Sequence, residues 1–400
     1  DISAVPTRPA IDYTLAAPQI ESQRYPRPGD PNPVPRLSIA DVASGALTEV
    51  DLSTYTPAEI LIAGVYWAPD GALLVAVQHR TSRWLDLVLV DAAGQVRTLL
   101  HESSDAWVEA IEPPRFLRDG SFVWLSARDG WTHMYHVPRE GSSPRQITRG
   151  PWSVSSIAGV DDAAGMIYFT GSLDAAIESH AYRVPLAGGA PARLTEPGWD
   201  HRITAGSGCR YLAVTRSNLS TPPATLLLRA DGTLIRVLSP PTPAAQPATS
   251  EPAPRIVSIP KSPGGQVRAM VLRPRDWSPA GRYPLVVEVY GGPGSPLVRN
   301  AWSRRGLAWL RRLADEGFVA CRIDPETASS DSPAVWGRAH RQLGRLELAD
   351  VEAGVRWMLE HEAIDPARVA IMGHSYGGFL AAYAAVNSSI DAHRQKEITG

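Results

Sequence analysis

The chain has 400 residues, 44% hydrophobic and 20% charged, with Lys+Arg 39 against Asp+Glu 41 and a formal net charge of -2. This is the composition of a folded chain long enough for two or three domains, and its charge balance excludes electrostatic capture of nucleic acid or of an anionic membrane. Two cysteines, Cys209 and Cys321, exclude a disulfide framework and a zinc cluster, and no apolar run reaches the roughly 20 residues that span a bilayer.

The first residues, Asp1-Ile2-Ser3-Ala4, carry neither Met nor a signal-like segment, and the true N-terminus is expected upstream of them. Residues 1–238 read as short strands separated by turns. Leu73–Val77, Trp84–Val90, Phe122–Leu125 and Met166–Phe169 are apolar runs next to turn signals such as Pro69-Asp70-Gly71 and Arg118-Asp119-Gly120. A weak repeat places similar strand endings at Glu49, Arg97, Arg145, Arg193 and Arg236, in steps of 48, 48, 48 and 43 residues. A period in the forties with about four strands per unit predicts four to five blades of a partial β-propeller; a β-sandwich with coincidental spacing is the other reading. Trp67, Trp84, Trp107, Trp124, Trp131 and Trp152 are expected mostly to fill blade interfaces rather than to stack on a carbohydrate. Asp161-Asp162 and the Asp-Gly pairs at 70, 119, 129 and 231 lack the acidic spacing of a calcium loop and read as turns.

Residues 239–254 are rich in proline and predict an extended linker. Residues 255–400 then alternate strands and helices: strands over Val267–Leu272, Leu285–Tyr290, Val319–Ile323 and Val369–Met372, and helices over Ala301–Glu316, Leu346–His361 and Gly377–Ala385. This is the pattern of an α/β domain with a largely parallel sheet. In the second helix Leu346, Val351, Val355, Met358 and Leu359 form one apolar stripe, and Glu347, Asp350 and Glu352 are expected on a solvated face. The short run Val369–Met372 predicts a strand covered on both faces.

The chemistry concentrates in Val369-Ala370-Ile371-Met372-Gly373-His374-Ser375-Tyr376-Gly377-Gly378-Phe379, a strand, a Gly-x-Ser-x-Gly turn and a helix start. That context marks a nucleophile elbow, the turn that lifts a serine hydroxyl clear of the sheet edge. Gly373 and Gly377 must lack side chains for the turn to close, and Gly378 gives further room at the helix start. Ser375 is the candidate nucleophile. The N–H of Tyr376 is aimed where an acyl oxyanion would form, at a helix N-terminus. A second strand, Tyr283–Tyr290, runs into the loop Gly291-Gly292-Pro293-Gly294, where hydrolases place their other oxyanion donor, and Tyr290 offers a phenolic O–H there. The bland readings are a glycine-rich turn in a non-catalytic fold and a core tyrosine ending a strand.

Beyond the elbow, several segments carry a resemblance that covers nearly the whole chain. They are Tyr25–Pro33, Trp124–Tyr135, Arg145–Val154, Val289–Pro293, Arg341–Gly344 and Gly373–Gly378. Together they resemble the prolyl oligopeptidase clan of serine peptidases, and within it the dipeptidyl peptidase IV branch. The resemblance implies a propeller that filters substrates toward an α/β-hydrolase domain, and release of dipeptides, often after Pro or Ala, from peptide N-termini. It implies Ser375 as nucleophile, Tyr290 as side-chain oxyanion donor and Tyr376 as amide donor. A peptide substrate, no metal or organic cofactor, a homodimer, and a periplasmic or secreted location belong to the same expectation.

The triad order Ser, acid, His places the family's Asp and His beyond Gly400, and its substrate-amine glutamates upstream of Asp1. His340, His361, His374 and His393 are not expected to act as the base, so the chain as written is expected to be inactive. The segment Ile323–Ser330 departs from the Asp-x-Arg-Gly pattern of relatives, and the resemblance carries no substrate preference onto that loop. Acylaminoacyl or oligopeptidase-type activity, an esterase, and a non-catalytic peptide-binding scaffold are the alternative functions.

Overall fold

The computed structural model describes residues 1–14, 16–109, 112–141, 143–242, 253–261 and 265–390. Most of the proline-rich segment expected as a linker (243–252), and His393, lie outside the described residues.

The chain opens with two antiparallel pairs, β1 (Thr7–Asp12) with β2 (Gln19–Arg24) and β3 (Ser38–Ala40) with β4 (Leu47–Glu49). Four four-stranded sheets follow in chain order. The first is β5 (Ile60–Trp67), β6 (Leu73–His79), β7 (Trp84–Val90) and β8 (Val96–Ser103); the second is β9 (Arg115–Phe116), β10 (Phe122–Ser126), β11 (His133–Val137) and β12 (Arg145–Gln146). The third is β13 (Val154–Asp161), β14 (Met166–Gly171), β15 (His180–Pro185) and β16 (Ala192–Arg193); the fourth is β17 (Asp200–Ala205), β18 (Tyr211–Ser217), β19 (Ala224–Arg229) and β20 (Leu234–Ser239). The repeat read from sequence now has its physical meaning. Glu49 ends β4, and Arg97, Arg145, Arg193 and Arg236 lie in β8, β12, β16 and β20, the last strand of each successive sheet. Each step of the repeat is one propeller blade.

Strand periodicity explains why these blades read as continuous apolar runs. Along β6, Leu73, Val75 and Val77 share a core with Val50, Ile60, Val88 and Val90. The alternate residues Leu74 and Ala76 pack instead with Leu85, Leu87, Phe122, Trp124 and Val137. A sheet buried on both faces needs apolar side chains at every position, not every second one. The tryptophans follow this rule only in part: Trp124 and Trp152 are buried and Trp84, Trp107 and Trp131 half-buried, but Trp67 is 60% exposed. It belongs to the alternate, outward set of β5. The Asp-Gly pairs are turns in which Asp70, Asp119 and Asp231 accept the N–H of Ala72, Ser121 and Thr233 two residues on, at 2.9–3.0 Å.

The chain divides into two compact units, residues 1–128 with 135–145, and residues 129–134 with 146–400. The second unit contains a five-stranded sheet of β21 (Arg255–Pro260), β22 (Gln266–Leu272), β23 (Tyr283–Val289), β24 (Val319–Asp324) and β25 (Ile364–Gly373), in the order β21-β22-β24-β23-β25. β23 pairs parallel with both β24 and β25, while β22 pairs antiparallel with β21 and β24. Its helices are α1 (Arg304–Asp315), α2 (Glu326–Ser329), α3 (Pro333–Gly337), α4 (Arg345–His361) and α5 (Tyr376–Asn387). One face of the sheet, through Val267, Ala269, Val271 and Val287, packs on Leu348, Val351, Val355, Met358 and Leu380 of α4 and α5. The other, through Met270, Leu272 and Ala320, packs on Leu307, Leu310 and Ala314 of α1. From β23 the chain passes through α1 to β24 on one side, then crosses to β25 on the other. Ligands of open α/β sheets bind at the carboxyl ends of strands where the order reverses in this way.

Two expectations are corrected here. Among the described residues β25 is the last strand of the sheet, and its run is not covered on both faces: Val369, Ile371 and Met372 are half-buried and Ala370 is exposed. Glu347, Asp350 and Glu352 do not lie on a solvated face: they are 0%, 6% and 8% exposed. Each is buried with hydrogen-bond partners, as buried carboxylates require. Asp350 takes the Lys261 ammonium at 2.7 Å and the Glu326 N–H at 2.8 Å, and Glu352 accepts the Ser388 and Ser389 hydroxyls at 2.9 and 2.7 Å.

Candidate active site

The parallel register sets Val289 beside Gly373, so the chain leaves both strands at the same edge. Tyr290 follows one strand and Ser375 the other. Ser375 caps α5 with φ 55° and ψ -121°, a left-handed backbone that side-chain-bearing residues rarely adopt, and it is exposed. The turn is held by the Gly377 N–H donating to His374 O at 2.9 Å and the Phe379 N–H to Ser375 O at 3.1 Å. The glycines are required sterically. A Cβ on Gly373 would lie 2.6 Å from Val289 O and collide with the Gly377 backbone, and one on Gly377 would collide with Val289 O and stand 3.0 Å from Tyr290 Cα. Gly378 has room, its nearest neighbour being Gly373 O at 3.4 Å.

The loop after β23 presses against this turn. A Cβ on Gly291 would stand 2.6 Å from Leu380 Cδ2 on α5. The half-buried Tyr290 ring lies 6.3 Å from that of Tyr376, centre to centre, and Tyr376 lies 5.3 Å from Phe379. The structure therefore brings all three expected site residues to one edge. The Tyr376 O–H donates to Glu347 Oε1 at 2.9 Å; burial, then that bond and the nearby carboxylate, raise the phenol well above its ordinary value and keep it protonated. The exposed His374 adjoins Ser375, His340 is half-buried, and His361 bonds Trp357 O at 2.9 Å while stacking on the Trp357 ring. Among the described residues no histidine hydrogen-bonds Ser375.

Two acids that sequence reasoning did not assign to the site support it. Asp324, at the end of β24, accepts the N–H groups of Leu297 and Val298 at 3.1 and 2.7 Å, pinning the far end of the loop that begins at Gly291. Its carboxyl is pushed up to about 6 by burial, against the pull of those N–H groups and of Arg268 and Arg322. The loop is tied at its near end by the Gly294 N–H to Thr327 O at 2.9 Å, so α2 buttresses it. Beyond Val298 the loop reaches the third and fourth blades: Arg299 pairs with Asp200 at 2.7 Å and Asn300 donates to Glu178 at 2.8 Å. Glu347 is the second acid. A readable signal was its place three residues after Gly344, the spacing at which a carboxylate reaches back to the first N–H of a helix.

Known proteins match this architecture in both parts. The sequence pattern of the dipeptidyl peptidase IV (DPP IV) N-terminal region fits residues 1–223, and that of the prolyl oligopeptidase family fits residues 306–390. The "Probable dipeptidyl peptidase 4" of Emericella nidulans is 25% identical over 378 residues, covering 89% of this chain and 49% of the relative. The "Probable dipeptidyl-aminopeptidase B" of Coccidioides posadasii is 27% identical over 424 residues, covering 94% and 43%. The crystal structure of Porphyromonas gingivalis dipeptidyl peptidase 4 superposes with a TM-score of 0.86 at 23% identity, over 96% of this chain and 55% of that one. The chain spans about half the length of the curated relatives it matches. With a propeller pattern over more than half its length and the hydrolase pattern around its elbow, the chain belongs to the prolyl oligopeptidase family, in the dipeptidyl peptidase IV branch.

Proposed function

We propose that this chain carries the nucleophile and the oxyanion site of a serine peptidase that releases dipeptides from peptide N-termini, after Pro or Ala. The observation that carries the reading is the strained Ser375 backbone, φ 55° and ψ -121°, held at the switch point between two glycines that admit no Cβ. Ser375 Oγ attacks the scissile carbonyl while a general base takes its proton. The tetrahedral oxyanion accepts hydrogen bonds from the Tyr376 N–H and the Tyr290 O–H, and collapse, with the base passing the Ser375 proton to the departing nitrogen, expels the amine and leaves the dipeptide as an ester on Ser375. Water then hydrolyses that ester. Residues 1–238 are proposed as propeller, 239–254 as linker and 255–400 as hydrolase domain. Homodimerisation is proposed with them on the resemblance, and sedimentation velocity tests it.

The test of the activity is cleavage of Gly-Pro p-nitroanilide by the full-length protein, with the same substrate blocked at its amine as comparison. Cleavage of the free-amine substrate alone, abolished by Ser375→Ala, is expected. Equal cleavage of the blocked substrate would move the protein to oligopeptidase or acylaminoacyl specificity, and cleavage that survives Ser375→Ala would remove Ser375 from the mechanism.

A further inference from the structure

Glu347 is 0% exposed, on the inward side of the first turn of α4. Both carboxylate oxygens are committed: Oε2 accepts the Gly344 N–H at 2.9 Å and Oε1 the Tyr376 O–H at 2.9 Å. Its Cβ lies beside the Gly291 turn, 3.9 Å from where a Gly291 Cβ would stand. One enclosed carboxylate thus bonds the elbow helix and the start of α4, while the Cβ of the same residue stands beside the loop that follows Tyr290. Gly344 is seated equally closely, since a Cβ there would be 3.1 Å from Phe379 Cζ and 3.2 Å from Tyr383 Cγ on α5. Packing alone does not call for a charge at this point: α4 and α5 already meet through Leu348, Val351 and Leu380, and a buried carboxylate is costly unless every bond it makes is needed.

The phenol that Glu347 holds belongs to the residue whose backbone N–H is a proposed oxyanion donor. That N–H lies in the first turn of α5, where a helix offers no acceptor of its own, so its direction depends on how residue 376 is held. The ring is clamped by Phe379 on one side, by Tyr290 on another, and by Glu347 at its far end.

We propose that Glu347 is a positioning residue for the oxyanion site: by gripping the Tyr376 hydroxyl from α4 it fixes the direction of the Tyr376 N–H and the packing of the Gly291 turn beside it. The inference rests on the proposed serine-hydrolase chemistry of Ser375. It requires no contact between Glu347 and substrate, and no step in which Glu347 exchanges a proton. Losing the grip misdirects a donor without removing it, so the effect is smaller than the roughly 100-fold or more that follows loss of a donor itself.

The test uses the full-length protein as Glu347→Ala, Glu347→Gln, Tyr376→Phe and the double Glu347→Ala/Tyr376→Phe. It reads the rate of fluorophosphonate labelling at Ser375, and kcat and KM for Gly-Pro p-nitroanilide per titrated site. Glu347→Ala and Tyr376→Phe should each lower the labelling rate and kcat about tenfold with KM within about twofold. The double variant should fall no further than the worse single, and Glu347→Gln, which still bridges Gly344 and the phenol, should recover most of the rate. Unchanged kcat and labelling per titrated site in Glu347→Ala, whatever its folded yield, would overturn the inference, as would multiplying losses in the double variant. If the parent labels at Ser375 but cleaves no dipeptide substrate, the peptidase reading fails and the labelling rates still decide on Glu347. If Ser375 does not label at all, both fall.

Discussion

Ser375 sits in a backbone conformation that its own side chain resists. Removing the Cβ relieves that resistance, so Ser375→Gly should be more stable than Ser375→Ala by about 1–2 kcal/mol, although both lose the nucleophile. Urea titration of the two variants checks this, and equal stability would mean that the elbow is not strained. The glycines around it separate in the same way. Gly377→Ala drives a Cβ into Val289 O and should cost about 3 kcal/mol or more, whereas Gly378→Ala meets only Gly373 O at 3.4 Å and should be neutral or gain about 0.5 kcal/mol as a helix former. Thermal midpoints that rank the two variants the other way would contradict the elbow geometry. This part of the site was legible in the sequence, because a glycine whose Cβ cannot fit leaves a mark in the chain itself. Asp324 was not legible as a site residue, and Glu347 was legible only as a helix cap. Their neighbours arrive from Tyr376, Leu297 and Val298, and a surface acid on a helix looks the same in sequence as one that a distant hydroxyl has drawn inside.

At the scale of elements, the third and fourth blades and the hydrolase sheet place two buried titratable groups with opposite acid responses. His201, the second residue of β17, donates from Nδ1 to Ser179 O at 3.2 Å and stands beside His180, Asp200 and Glu178. Burial, then His180, push it down from 6.5 to about 4. The folded state therefore keeps it neutral, and the stability it contributes is full above pH 6.5 and lost as pH falls toward 4, about 3 kcal/mol in all. Asp324 runs the other way. Burial raises it from 3.8 to about 6, so its contribution is full below pH 3.8 and is lost as pH rises through 6, again about 3 kcal/mol. Between pH 6.5 and 4 the two nearly offset. Relative to the parent, His201→Gln should become more stable on acidification and Asp324→Asn less stable, by about 3 kcal/mol each. Urea titrations at pH 7 and 4 read the difference, and parallel pH dependence in parent and variants would contradict the burial of these groups. Blade strands were legible because turn signals bracket them and the repeat fixes their count. The half-burial of β25 among the described residues was not, since an apolar run looks the same whether one or both of its faces are covered.

For the whole molecule, the propeller-then-hydrolase order was read from two kinds of periodicity: a repeat near 48 residues up to Arg236, then alternating strand and helix patterns from Val267 onward. The structure adds what periodicity cannot carry, the long-range ties. The loop that starts beside Ser375 ends on the third and fourth blades through Arg299–Asp200 and Asn300–Glu178, so the oxyanion side of the site and those blades share one strap of chain. Arg299→Ala should leave cleavage of a p-nitroanilide dipeptide within about twofold while lowering stability by about 1–2 kcal/mol, because it leaves the buried Asp200 carboxylate without its cation and does not touch the elbow. Parallel kinetics and urea titration distinguish that outcome from a tenfold kinetic loss, which would place the strap inside the catalytic machinery. The central claim is that Ser375 is the reactive hydroxyl. Its most direct measurement is fluorophosphonate labelling of the full-length protein followed by mass mapping of the tryptic peptide spanning residues 369–394. The account predicts a single adduct on Ser375, protected by a Gly-Pro substrate and absent in Ser375→Ala; an adduct on another residue, or one that persists in that variant, would contradict it.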